Sequence, residues 1–278
     1  MSDVADDKAV EIVETKEETQ EQERRGISLS VKDICFNYGG VVALDKISFD
    51  IEPGERVGII GNSGSGKSTL CDIITGLKSP KSGTISINGK NVTSKSASSR
   101  AKKGMRRVFQ SPVFFENLNV EENVLVGSPP SKGDDVISSL FLPRLFYKER
   151  RETARRILEY CHVDIEESQS LKVLPVSLKK RIELARTLMG NPRILVLDEP
   201  ASSLNEEERA QYCQVVLDYA ETFATTLIVV DHDLEFIRSL SNRAIALDAG
   251  ELLADGEVVP VLRNEEVKNR YLNGMSAK

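Results

Sequence analysis

An apolar stretch, Arg56 to Ile60, runs directly into Gly61-Asn62-Ser63-Gly64-Ser65-Gly66-Lys67-Ser68 and then into a segment of helical character that opens with Thr69. Glycines at these spacings let successive backbone N–H groups turn inward onto phosphate oxygens, and the following helix presents the positive end of its dipole to them. Lys67 has the reach for the outer phosphates, Ser68 supplies a hydroxyl for Mg2+, and Thr69 shares the same helical turn. A flexible Gly/Ser turn needs neither the strand before it nor the helix after it. The junction therefore predicts a phosphate-binding loop with a nucleoside triphosphate as its ligand.

Composition narrows the class. The chain has 278 residues, 40% of them hydrophobic and 29% charged, which is ample for a substantial core in one large domain or two small ones. Residues 1–25 hold nine acidic and four basic side chains, so the tail accounts for nearly all of the net charge of −6. With clustered glutamates and few apolar residues, this tail is expected to be disordered, or to bind a basic partner. The near-neutral remainder has no basic stripe and gives no support for nucleic-acid binding. No apolar run of spanning length and no basic-then-apolar leader is present, so membrane association is expected to come through a partner. Cys35, Cys71, Cys161 and Cys213 are scattered without a C-x-x-C pair and read as reduced core thiols.

Alternating residues from Ile27 to Ile51, around a Gly39-Gly40 turn, predict an antiparallel β layer that Thr84 to Lys90 continues. Arg107 to Gln110 reads as a short buried strand, and Glu116 to Leu174 as helical, with breaks at Ser128-Pro129-Pro130 and Lys132-Gly133. Arg193 to Leu197 and Thr226 to Val230 are apolar strands separated by a helix from about Glu206 to Thr222. Strands alternating with helices around a phosphate loop imply an α/β fold with a mainly parallel sheet covered on both faces.

A second piece of nucleotide chemistry follows the first of those strands. Ile194-Leu195-Val196-Leu197 ends in Asp198-Glu199-Pro200. Asp198 is placed to bind the magnesium shell, and Glu199, one residue on, to act as general base for an attacking water. In this order the parts from Ile27 to Leu272 resemble an ABC-type ATPase cassette, a P-loop NTPase with a mixed-sheet core, an antiparallel β layer and a helical subdomain. The resemblance implies a tail over residues 1–25 and a cassette over 26–278, with the helical subdomain at about 112–190 inserted in a RecA-like core. It implies ATP and Mg2+ as ligands, Tyr38 as the aromatic that stacks on adenine, and Gln110 as the glutamine that senses Mg2+ and water. Ala201 to Asn205 matches the loop that crosses to a second cassette, and His232 the histidine at the γ-phosphate. Taken alone, Tyr38 can be an ordinary strand aromatic and Gln110 a surface amide; His162 reads as structural.

Phe115 to Gly127, Asp198 to Glu208 and Val267 to Leu272 are most similar to the ATP-binding subunits of branched-chain amino-acid importers. That resemblance implies a peripheral subunit on the cytoplasmic face of the membrane, beneath two transmembrane permease subunits, with a second ABC ATPase subunit and an extracytoplasmic solute-binding protein. It also implies a docking groove for permease helices near Gln110, Phe114 and Phe115. One element departs from the family. Where the signature Leu-Ser-Gly-Gly-Gln belongs, the chain reads Leu174-Pro175-Val176-Ser177-Leu178. Pro175 lacks a hydroxyl and an N–H, and Val176 stiffens the backbone where glycine is usual. Ser177 is expected to cap the following helix, and Lys179 and Lys180 are near enough in sequence to offer charge instead. This surface is expected to grip a partner's γ-phosphate weakly, which favours a heterodimer with one competent and one impaired site. A soluble scaffold ATPase and a nucleotide-dependent clamp with little turnover are the competing functional readings.

Overall fold

A computed structural model of the chain describes residues 26–129, 143–164 and 171–275. The tail before Gly26 and the break from Pro130 to Gly133 lie outside the described residues. Period-two alternation builds the first layer. β1 (Leu29–Tyr38) and β2 (Val41–Ile51) reverse at Gly39 and Gly40 and pair antiparallel, with Leu29 opposite Ile51 and Tyr38 opposite Val41. Leu29, Val31, Ile34, Leu44, Ile47 and Ile51 face inward and are buried, as a one-sided sheet requires.

β3 (Arg56–Ile60) delivers the glycine-rich loop to α1 (Lys67–Thr75). The run from Thr84 to Lys90, which reads as one strand, is a hairpin. Asn88 and Gly89, with φ of 49° and 71°, turn the chain between β4 (Ser82–Ile87) and β5 (Lys90–Asn91). Asn-Gly is the pair that such a two-residue turn favours. These strands form a four-stranded antiparallel sheet in the order β2-β1-β4-β5. After α2 (Ala97–Ala101) comes β6 (Met105–Val108), two residues earlier than the sequence suggests, because Phe109 is already turned towards solvent.

Among the described residues, three α-helices then separate β6 from β7: α3 (Val120–Leu125), α4 (Pro143–Tyr160) and α5 (Val176–Leu188). α3 opens with a capping box in which the Asn119 side chain accepts from Glu122 N–H and Glu122 reaches back to Asn119 N–H. Its buried Glu121 accepts from Arg151 and Arg155 of α4, so the two helices are joined by a carboxylate shielded from water. The remaining elements are β7 (Ile194–Asp198), α6 (Glu206–Thr222), β8 (Thr226–Val230), α7 (Leu234–Leu240), β9 (Arg243–Asp248), β10 (Glu251–Glu257), α8 (Val258–Arg263) and α9 (Glu265–Met275).

The main sheet has the order β10-β9-β3-β8-β7-β6, parallel throughout except for β10. Its central strands are apolar on both faces because both are covered. Ile194, Val196, Ile228, Val230, Ile245 and Leu247 join the core with the antiparallel layer and α1. Leu195, Leu197, Leu227, Val229, Ala244 and Ala246 pack on the other side with α5, α6 and α7. α7 lies so close that a Cβ on Gly58 would meet Ile237 Cγ2 at 2.6 Å. This mixed-sheet α/β architecture is the one the resemblance implies.

The helix behind the loop is braced from its far end. The Arg100 guanidinium, 1% exposed, donates to the carbonyls of Ile73 and Ile74 at 2.6 Å each, and to Thr93 O and Lys95 O at 3.0 and 3.1 Å. A cation at a helix C-terminus complements the dipole and satisfies carbonyls that the helix leaves over. Burial without a carboxylate pulls its pKa down to about 10. Arg100→Met should destabilise the protein by about 3 kcal/mol, since it strands buried acceptors. Urea unfolding checks this; a loss below about 1 kcal/mol would mean that water replaces the guanidinium.

Candidate functional site

The loop between β3 and α1 is shaped by close approach. A Cβ on Gly61 would stand 2.4 Å from Leu247 O, and one on Gly66, whose φ is 105°, would stand 2.6 Å from Ala43 O. Gly64, by contrast, has nothing within 4 Å of its Cβ position, so the crest of the loop is open. Gly66 is the N-cap of α1 and offers no side-chain acceptor, which leaves the first helical N–H groups for an anion. Lys67 curls back beneath the crest, its ammonium 2.7 Å from Gly61 O and 2.8 Å from Asn62 O. Burial lowers its pKa, and the charges of Glu199 and Asp198 oppose that shift. Ser68 is exposed and Ser65 is buried. Asn62 donates to Arg270 O of α9 at 2.6 Å, and Arg270 pairs with Asp248 at the end of β9. Ser63 is exposed beside it.

Tyr38 stands next to this loop, half exposed, with its hydroxyl 3.3 Å from Thr69 Oγ1 and its ring 5.0 Å edge-on to Phe36. Val41, opposite Tyr38 in the same hairpin, is also exposed, so apolar surface adjoins the ring.

The acidic groups arrive on the neighbouring strands. Asp198 ends β7 in a buried position, and its Oδ2 accepts from Arg107 Nη2 at 2.6 Å. The same guanidinium donates to Asp72 of α1 at 2.8 Å, so Arg107 ties the helix behind the loop to the acidic end of β7. Sequence reasoning missed this residue; the available signal was a charged side chain inside an otherwise buried strand. Glu199 has φ 46°, a left-handed conformation uncommon outside glycine, and its N–H donates to Val230 O at 2.7 Å. Gln110 Nε2 donates to Glu199 Oε2 at 2.6 Å, and His232 Nδ1 lies 4.0 Å from that same oxygen. His232 is largely exposed and stands 3.4 Å from Oδ1 of the buried Asp231. Burial raises the pKa of Asp231. The structure thus gathers Gln110, Glu199 and His232 around one carboxylate oxygen, with Lys67 and Asp198 close enough to share its field.

A family model described as ABC transporter matches residues 44–202, more than half of the chain, including the loop, Gln110, Asp198 and Glu199. The chain belongs to the ABC transporter family. The high-affinity branched-chain amino acid transport ATP-binding protein BraF of Pseudomonas aeruginosa is 29% identical over 247 residues, covering 88% of this chain and 97% of that protein. The corresponding LivG of Escherichia coli K12 is 28% identical over the same extent. The methionine import ATP-binding protein MetN of Rhizobium johnstonii is 31% identical over 244 residues, covering 85% of this chain and 62% of that protein. The solved ADP conformation of an ATP-binding cassette of an ABC transporter matches with a TM-score of 0.75 at 27% identity, over 88% of this chain and 98% of that one. A dimeric cassette bound to ADP and Pi after hydrolysis matches with a TM-score of 0.71 at 26% identity, over 83% and 98%. The chain is an ABC-type ATPase. No helix among the described residues is long and apolar enough to cross a membrane.

In this ABC cassette the signature position is the start of α5. Leu174 is buried, Pro175 is the N-cap without a side-chain acceptor, and Val176 is half exposed. Ser177 falls inside the first turn and so cannot cap the helix as expected; its hydroxyl bonds Glu208 of α6 instead. Lys180 also departs from expectation. It is 5% exposed and points into its own chain, donating to Pro200 O at 2.7 Å and Ser202 Oγ at 3.0 Å, so it offers no charge outward. Along the segment after Gln110, Val113 and Phe115 are exposed, while Phe114 packs on the core beneath the Arg186 guanidinium.

One turn further along α5, Glu183 is 2% exposed, accepts from the Phe109 N–H and pairs with Arg186. Burial pushes its carboxyl up to about 7 against the pull of Arg186. A folded-state value above the ordinary 4.5 means that the native state holds the extra proton between those two values. The group's contribution to stability therefore falls as pH rises from about 4.5 to about 7 and is level above. Glu183→Gln should remove on the order of 3 kcal/mol of that decline, read from urea unfolding at stepped pH. Identical slopes for the two proteins would mean that Arg186 keeps Glu183 ionised throughout.

Proposed function

We propose that this chain is the ATP-hydrolysing subunit of a membrane ABC importer for branched-chain amino acids or a related small solute. In this reading it sits at the cytoplasmic face of the membrane, beneath two permease subunits and alongside a second, different cassette, with an extracytoplasmic solute-binding protein delivering the solute. The observation that carries it is the pairing of Gln110, Glu199 and His232 around one oxygen next to an uncapped, glycine-shaped phosphate loop. The amino-acid transport roles of BraF, LivG and MetN support the solute class.

The residues suggest a division of labour. Tyr38 carries the adenine, the loop from Gly61 to Thr69 holds the phosphates, and Lys67 turns from its own carbonyls to the outer phosphates. Ser68, Gln110 and Asp198 fit Mg2+, which takes few protein ligands and keeps several waters; when bound, it would neutralise charge on the phosphate oxygens. Glu199 accepts the proton of the attacking water, while Gln110 and His232 orient it. Closing two cassettes over ATP would move permease helices docked near Phe109, Val113 and Phe115, and reopening would follow product release. With Pro175 and Val176 at its signature, the chain contributes a working base to one composite site and a weak anion surface to the other. That asymmetry favours a different cassette as partner over a second copy.

Gentle solubilisation of membranes, with mass spectrometry of what co-purifies in stoichiometric amount, tests the assembly. Two multi-span proteins and a second ATPase are expected, whereas recovery from the soluble fraction alone would leave the scaffold or clamp. In the assembled complex, Glu199→Gln should lower turnover at least ~100-fold while ATP binding persists, as loss of a general base does. Unchanged turnover would remove Glu199 from that role.

A further inference from the structure

α5 turns two polar side chains inward, one helical turn apart, onto the same piece of chain. Glu183 accepts the N–H of Phe109, and Lys180 lies 3.5 Å from the carbonyl of Gln110. Lys180 reaches further than that. Its ammonium also touches Pro200 O at 2.7 Å, Ser202 Oγ at 3.0 Å and Glu199 O at 3.5 Å. Ser202 Oγ in turn donates to Glu199 O at 3.0 Å.

Two features mark this cluster as more than packing. Its four hydrogen-bond partners are all uncharged oxygens, and the charges of Asp231 and Glu199 offset only part of the cost of burying the cation, an arrangement that costs more than an apolar side chain at the same place. The segment it holds is itself strained: Glu199 and Ser203 are non-glycine residues with φ of 46° and 71°. Such conformations cost on the order of 1–3 kcal/mol each and persist where the surroundings enforce them. The contacts of Lys180 fall on this stretch, at residues 199, 200 and 202.

We propose that Lys180 is a positioning residue that locks helix α5 to the turn carrying Glu199, fixing the backbone from which that carboxylate projects and joining it to the Gln110 segment. α5 then serves its own chain's site through its inner face, although its outer end lacks the phosphate-binding groups of the family. The effect on turnover rests on Glu199 being the general base; the lock itself does not.

The test uses the full chain, with turnover read in the assembled complex. Lys180→Met should speed amide exchange at residues 199–204 about 10-fold or more while leaving the amides of α1 unchanged, the signature of a local opening. The kcat for ATP should fall about 10- to 100-fold with KM nearly constant, as misplacement of a catalytic group does. Lys180→Arg should regain most of the kcat. Ser202→Ala, which leaves α5 untouched, should loosen the same residues to a smaller extent, and it carries the test if Lys180→Met does not fold. Wild-type exchange at 199–204 in Lys180→Met or Ser202→Ala, or faster exchange spread evenly over the chain, would overturn the lock. If Glu199→Gln leaves turnover unchanged while Lys180→Met still loosens 199–204, the assignment of the base falls and the lock stands.

Discussion

Parallel pairing of β9, β3, β8, β7 and β6 sends the carboxyl ends of five strands to one edge of the sheet, and the chain uses every one of them there. β3 gives the phosphate loop, β6 leads to Gln110, β7 ends in Asp198 and Glu199, β8 leads to Asp231 and His232, and β9 brings Asp248 and the Leu247 carbonyl against Gly61. A crevice beyond the carboxyl ends of parallel strands is where open α/β sheets bind ligands. Strand separation thus sets the coarse spacing between groups, and the short turns beyond the strand ends set the rest.

The cross-links among these strand ends are ionic or charge-assisted. Arg107 joins Asp72 and Asp198, Lys180 gathers the carbonyls of Glu199 and Pro200, and Gln110 meets Glu199 directly. The Arg107 and Lys180 links are shielded from water, where such bonds are stronger than at the surface and where losing one partner leaves the other exposed to the full desolvation cost, while Gln110 meets Glu199 at the open mouth of the site. The start of α5 shows the opposite: Pro175 brings neither a hydroxyl nor an N–H and Val176 only an apolar side chain, so the start and the inner face of a single helix serve different chemistry.

Much of this was legible in residue patterns. The strands at Arg56–Ile60 and Thr226–Val230 and the helix over Glu206–Thr222 lie where periodicity and apolar runs put them, because central strands buried on both faces leave little ambiguity. The hairpin inside Thr84 to Lys90 was masked by its own alternation, although Asn88-Gly89 carried the signal. Lys180 and Arg107 were opaque for a different reason. A long cationic side chain reads as surface by default, and its burial depends on carbonyls and carboxylates contributed by segments tens of residues away. Ser177 illustrates a smaller error: α5 starts two residues earlier than a serine cap requires.

The bond from Asn62 to Arg270 O joins the crest of the phosphate loop to a helix close to the end of the described chain. During synthesis from the N-terminus, β3 and α1 emerge long before α9, so the loop stays without this tether until α9 itself has been made. Biosynthetic order therefore places completion of the nucleotide pocket after the synthesis of α9, and a nascent chain halted before that helix would carry the motif in its sequence without the finished cradle.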